Sequence, residues 1–205
     1  MKKYGLIISI TILFLLINTS YYWDAHIGFL VFPITIIMFF AFYVIGAVLI
    51  FQIYRGFKKK ITDKKMNISI VIVTIGLILI YLRPYGIIDY EKFEGENVLV
   101  AKREGSANCM KTLKLKSNNY FKERDVCFGI YEVTGEYLLK NDTIYFKNVE
   151  FSNNRSNDFY EFAVFRLTKY GKNGISKDLV RYKNKDDTIG HILSIVKNNL
   201  DDFGK

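Results

Sequence analysis

The chain has 205 residues, of which half are hydrophobic, 16% aromatic and 24% charged, and its formal net charge is +9. Such a mixture describes two regions in different solvents rather than one uniform domain. Residues 83–205 hold 21 Lys and Arg against 18 Asp and Glu, only +3 of the total, so the basic balance reports membrane-flanking segments and not a nucleic-acid surface.

In chain order, three uncharged runs come first: Tyr4 to Trp23, Ile27 to Tyr54, and Met66 to Leu82. A spanning helix needs about 20 mostly apolar residues, with about 17 as the short end. The runs therefore predict three transmembrane helices, at about 4–23, 28–54 and 66–82. A secretory signal is the alternative reading of the first, although "NTS" at its end fits the small-x-small cleavage pattern poorly. The mild polar groups Ser9, Thr11, Thr35 and Thr74 are expected to bond locally or between helices, and Gly5 with Ser9, or Gly46 with Ala47, offer small packing faces. No ionisable residue interrupts the runs, which reads as an anchor rather than a conduit.

Positive charge sets the orientation. Lys2 and Lys3 precede the first run, and Arg55, Lys58, Lys59, Lys60, Lys64 and Lys65 form a basic loop between the second and third. The loop between the first two runs has no Lys or Arg and carries Tyr21, Tyr22 and Trp23, suited to an interfacial aromatic belt. The expected location is the cell (inner) membrane, multi-pass, with the amino terminus cytoplasmic and the C-terminal domain extracytoplasmic.

"RPYG" at Arg83–Gly86 ends the third run, and residues 83–96 read as a connector. Its Glu91, Glu94 and Glu96 are expected to be solvated, an acidic edge for a cation being the other reading. From residue 97 the pattern becomes period two: Asn97–Arg103, Cys109–Lys116, Tyr120–Phe128, Thr134–Lys140, Thr143–Phe151, Tyr160–Thr168 and Leu179–Tyr182. Turn clusters separate them at Ser117-Asn118-Asn119, Asn141-Asp142, Ser152-Asn153-Asn154 and Gly171–Gly174. The last run, His191–Asn198, fits either a strand or a closing helix. Residues 97–205 therefore predict a small antiparallel β domain, a meander closing into a sandwich or barrel.

The two cysteines, Cys109 and Cys127, flank one predicted hairpin. A three-residue loop at Ser117–Asn119 sets Leu115 against Phe121, Leu113 against Glu123, Lys111 against Asp125, and Cys109 against Cys127, all on one face. Directly opposed Cα atoms about 4.5–5.5 Å apart lie within disulfide range, and an extracytoplasmic domain permits oxidation. A cross-strand disulfide is the expectation. Two buried thiols are the competing reading, while a metal or redox site lacks a CxxC and has only two histidines to draw on.

The succession Leu113, Leu115, Phe121, Gly135, Tyr137, Asp142, Thr143, Ile144 and Phe146, an "LxL…F" hairpin followed by "GxYxxxxDTIxF", resembles the lipocalin-like β-meander of small bacterial envelope proteins. The whole chain resembles uncharacterised bacterial membrane proteins of this architecture. The resemblance implies a small barrel or half-barrel and brings no catalytic residues. No GxSxG, HExxH, P-loop or GxGxxG occurs, and His26 and His191 read as structural or surface residues. The expected class is a membrane-anchored binding or interaction protein engaging an envelope partner, toxin or small ligand. A structural or assembly factor acting through the helices is the alternative. No enzyme activity, cofactor or metal is expected, and the lipid bilayer is an expected partner.

Overall fold

The computed structural model describes residues 4–58, 64–153, 158–170 and 174–200. The chain divides into two compact units, Met1–Asp24 with Leu30–Asp89, and Ala25–Phe29 with Tyr90–Lys205.

The first unit is helical: α1 (Gly5–Asn18), the start of α2 (Ser20–Ile27), α3 (Val31–Lys58) and α4 (Lys64–Leu82). Leu6, Ile10 and Leu13 of α1, Ile45 and Leu49 of α3, and Val73 and Ile80 of α4 make one buried cluster. The hydroxyls bond locally: Ser9 donates to Gly5 O at 2.9 Å, Thr35 to Val31 O at 2.8 Å and Thr74 to Ile70 O at 2.7 Å. Close approach comes at a position other than the two expected. A Cβ on Gly5 or Gly46 would meet nothing within 4 Å, whereas on Gly76 it would lie 2.7 Å from Ile10 Cγ1. The region expected as an outer loop, Tyr21–His26, is helical instead, and Ser20–Phe57 forms one apolar helical run of 38 residues, long enough to cross a membrane. Without Pro or Gly between Ser20 and Ile27, nothing in that segment breaks a helix. The other apolar helical stretches are shorter, Gly5–Asn18 and Met66–Leu82.

The second unit is a closed antiparallel barrel of eight strands in sequence order, the first pairing with the last. They are β1 (Asn97–Glu104), β2 (Met110–Lys116), β3 (Tyr120–Val126), β4 (Ile130–Lys140), β5 (Thr143–Phe151), β6 (Phe162–Tyr170), β7 (Gly174–Tyr182) and β8 (His191–Asn198). The ambiguous last run is thus a strand. Closure requires it, since β8 ladders with both β1 and β7.

Turn chemistry sets the register. Asn141 and Asp142 both have positive φ, 48° and 58°, as a two-residue type I′ hairpin demands. In the three-residue β2–β3 turn, Asn119 has φ 62° and donates its N–H to Lys116 O at 3.2 Å. Leu115 then faces Phe121, Leu113 faces Glu123 and Lys111 faces Asp125, the expected register. At Gly135 the register of β4 against β5 shifts. A Cβ there would sit 2.7 Å from both Lys147 O and Phe121 Cε1, so the bend needs glycine. The seam between β5 and β6 is short, with three register pairs against nine between β6 and β7.

Alternate residues point inward: Leu99, Ala101, Leu113, Leu115, Phe121, Ile144, Ala163, Leu179 and Leu193 are buried. Each leucine, isoleucine or phenylalanine so buried contributes about 1.5–3 kcal/mol. From the β5–β6 connection, Phe159 enters this core, stacked on Phe121 with ring centres 5.3 Å apart and edge-on to Phe146 at 5.3 Å.

The connector is largely exposed, Glu96 included, but Glu91 and Glu94 are engaged rather than solvated. Its 3-10 turn, Tyr90–Glu94, lies on the outer face of β2 and β3. Glu91 pairs with Lys114 at 2.5 Å and Lys116 at 3.4 Å, and Glu94 with Lys116 at 3.4 Å and Lys122 at 3.0 Å. Three outward lysines on two adjacent strands repel one another; Glu91 and Glu94 offset that repulsion, and Glu132 also pairs with Lys122 at 3.0 Å. Lys116 is 0% exposed beneath them. Burial pushes the Glu91 carboxyl up, but hydrogen bonds from Lys114 and Asn97 and the charge of Lys116 outweigh it and hold the group at about 2.

Candidate functional site

Cys109, just before β2, and Cys127, just after β3, are joined by a disulfide, as the hairpin register requires. The bridge lies at one end of the barrel, beside a cavity of about 550 Å³. That volume falls in the range of about 300–1,000 Å³ typical of small-ligand sites. Its walls come from five segments: β2, β3, the start of β4, the end of β5 with the connection that follows, and Lys183 just beyond β7.

Inward alternation explains the polar floor. On β3 the residues after Phe121 on the same face are Glu123 and Asp125, and on β7 the residue after Leu179 is Arg181. Arg181 and Glu123 form an ion pair with side chains 1% and 5% exposed. Lys111 sits between the two carboxylates, 3.6 Å from Glu123 and 3.3 Å from Asp125. The Arg181 guanidinium also lies 4.0 Å from the centre of the Tyr160 ring, a cation–π contact in a water-poor setting. Tyr160 meets His191 edge-on at 5.3 Å. Burial, then the nearby charges of Arg181 and Arg103, lower the His191 pKa, which favours the neutral imidazole. A buried pair of this kind is costly to desolvate and is held in place here by a third charge and an aromatic face.

Tyr131, Phe151, Phe159 and Tyr160 supply aromatic walls, Val133 an aliphatic one. Asp158 and Lys183 pair at 3.2 Å on the rim. Glu132 also borders the cavity, yet its carboxylate is committed to Lys122 at 3.0 Å and to Arg124 on the outer face.

Of the residues singled out in the sequence, Cys109 and Cys127 reach this site, with Lys111, Glu123 and Asp125 of the same predicted hairpin. Tyr21, Tyr22 and Trp23 lie on α2, where Trp23 Nε1 donates to Thr19 Oγ1 at 3.3 Å. Arg55, with its guanidinium 5.5 Å from the Phe51 ring centre, and Lys58 belong to the last turns of α3, so the basic loop begins later than expected. Lys64 and Lys65 open α4, while Lys59 and Lys60 lie outside the described residues. Sequence reading passed over Phe159, Tyr160 and Arg181. Period-two alternation continued past Leu179 would have put Arg181 inside. Among the described residues, no group of three or more His, Cys, Asp or Glu could hold a metal ion.

Fold and site together define the class: an N-terminal helical part with one membrane-length apolar helix, followed by a closed eight-stranded barrel with a polar-floored cavity at one end. No family model, curated protein or solved structure matches the chain.

Proposed function

We propose that the chain is a membrane-anchored binding protein whose barrel faces away from the cytoplasm and takes a small ligand, or a side chain of an envelope partner or toxin, at its disulfide end. The observation that carries this reading is the cavity itself, about 550 Å³ with aromatic walls over a buried charged floor. Polar groups convergent in an otherwise apolar pocket are what fix a ligand's orientation. The disulfide supports an oxidising compartment for the barrel. The lysines and Arg55 around the α3–α4 junction support a cytoplasmic position for that junction, and with it three spans and a cytoplasmic amino terminus. A lipocalin-like binding module is consistent with the up-and-down closure.

Saturation-transfer NMR on the full chain in detergent micelles, with small aromatic fragments, tests the binding reading. Fragments should bind the wild type and lose binding in Val133→Trp, which fills the cavity from its aliphatic wall. Fragment binding untouched by that substitution, in a barrel that still folds, would place recognition elsewhere.

A structural or assembly role through the helices is the second reading, favoured by the exposed aromatic face of α3 at Phe39, Phe40 and Tyr43. Replacing residues 1–82 with an unrelated anchor should abolish function under this reading and spare it under the first.

A further inference from the structure

We propose that Ala25–Phe29 is a strap seated on the barrel's disulfide end, and that filling the cavity tightens its seat. This rests on reading the barrel as a binding module and adds the regulation of that same site.

Ala25–Phe29 precedes the barrel by some distance in sequence, yet it belongs to the barrel's compact unit. It ends α2 and enters the 3-10 turn Gly28–Leu30. Ala25 is 2% exposed and Gly28 is buried. Three barrel residues hold the segment. Asn153 donates a side-chain N–H to Ala25 O at 3.2 Å, a bond across 128 positions of chain. Gly28 has φ +55°, and a Cβ on it would lie 3.1 Å from both Tyr131 Cε1 and Asn153 Nδ2. A Cβ on Gly129, in the β3–β4 turn, would sit 2.8 Å from Gly28 O and from Phe29 Cα. Backbone meets backbone at these two glycines, an approach that side chains would prevent. The turn carrying Gly129 is itself fixed, because Cys127 donates its N–H to Gly129 O at 2.9 Å and is tied to Cys109.

Two of the holders, Tyr131 and Asn153, also line the cavity. Tyr131 has no slack on the side of Gly28, and its freedom lies toward the cavity. A guest packed there removes that freedom and keeps both side chains where the strap needs them. A ligand shifts an equilibrium only through contacts that differ between its two states, and these two side chains supply the difference. The coupling is reciprocal: whatever unseats the strap weakens the guest by the same factor. Gly28 and Gly129 are the residues with which to unseat it, since neither lines the cavity.

The test follows amide exchange at Gly28 and Phe29 by NMR in the full chain in micelles, relative to the β7 amides of Leu179 and Val180. It is run without and with saturating 4-methylphenol, indole or benzyl alcohol. A probe that binds should slow exchange in the strap about fivefold or more, beyond any slowing in β7. Gly129→Ala should speed strap exchange and weaken the same probe by a matching factor. Gly28→Ala, which leaves every barrel strand intact, should do the same. Val133→Trp, filling the cavity from its own wall, should slow strap exchange with no probe present. A bound probe that leaves strap exchange unchanged or faster overturns the coupling and leaves the binding module standing. Equal probe affinity in the wild type and both glycine variants does so too. Failure of all three probes to bind overturns the binding module, and Val133→Trp then decides the coupling alone: slowed strap exchange upholds it and unchanged exchange overturns it.

Discussion

Cutting the Glu123–Arg181 pair from its two sides should produce unequal damage. Both side chains are almost fully buried, at 5% and 1% exposed. Removing one member of a buried pair costs about 3–5 kcal/mol, mostly for the charge left behind. Arg181→Met leaves Glu123 with Lys111 at 3.6 Å, and a carboxyl can also take up a proton. That variant belongs at the low end, about 3 kcal/mol. Glu123→Gln strands a guanidinium that cannot be neutralised by proton loss, and Tyr160 at 4.0 Å is its remaining charge-stabilising neighbour in the core. About 4–5 kcal/mol is expected there. The double variant Glu123→Leu with Arg181→Met removes both charges and should return to within about 1 kcal/mol of the wild type. Urea unfolding of the disulfide-intact chain in micelles, followed by near-UV circular dichroism of the barrel tyrosines, reads all three. A double variant as unstable as the two singles added together, or Arg181→Met costing clearly more than Glu123→Gln, would refute the reasoning.

Gly135→Ala should destabilise the barrel by about 1–3 kcal/mol, because two of the obstacles at the new Cβ are backbone oxygens, Lys147 O at 2.7 Å and Asn148 O at 2.8 Å, which cannot rotate aside. The same urea curve coinciding with wild type would show that the β4–β5 bend can relax. Replacing Cys109 and Cys127 together by Ser should cost about 3 kcal/mol for a bridge spanning 18 positions; a loss under about 1 kcal/mol would mean that the hairpin register needs no staple. For the connector, the folded Glu91 carboxyl at about 2 lies below its ordinary 4.5, so its contribution is complete above pH 4.5 and fades as pH falls toward 2. Full conversion would be about 3 kcal/mol. A side chain 31% exposed and screened by salt brings the expectation to about 1–2 kcal/mol. Glu91→Gln should flatten stability against pH over that window, and an unaltered acid slope would place the effect on other groups.

The β2–β3 hairpin was legible because three constraints agreed: the Asn119 turn, the apolar pair Leu115–Phe121, and the charge pair Lys111–Asp125. The Asn141-Asp142 turn was legible for the same local reason. Strand ends were not. β4 begins at Ile130 and β7 at Gly174, earlier than period two alone marks, because "IYEV" is too short to show alternation and "GISKD" is polar on both faces. The connector carried no sign of docking, since three outward lysines meet two glutamates only once β2 and β3 are adjacent. The cavity is non-local in the same way. One of its lining carboxylates, Glu123, is backed by Arg181, 58 positions away, and no motif spans that distance.

The short β5–β6 seam bears on how the barrel breathes. A closed barrel has no free edge, so a partner cannot simply add a strand to it. Opening must begin where the fewest ladder bonds break, and three register pairs at Thr143–Tyr145 against Phe162–Val164 make this the weakest staves of the cask. Amide exchange should therefore spread from Tyr145 and Phe162. Phe151 at the end of β5 and Phe159 in the connection that follows border the cavity. The same loosening that admits solvent there would also loosen the wall that Phe151 and Phe159 give the cavity.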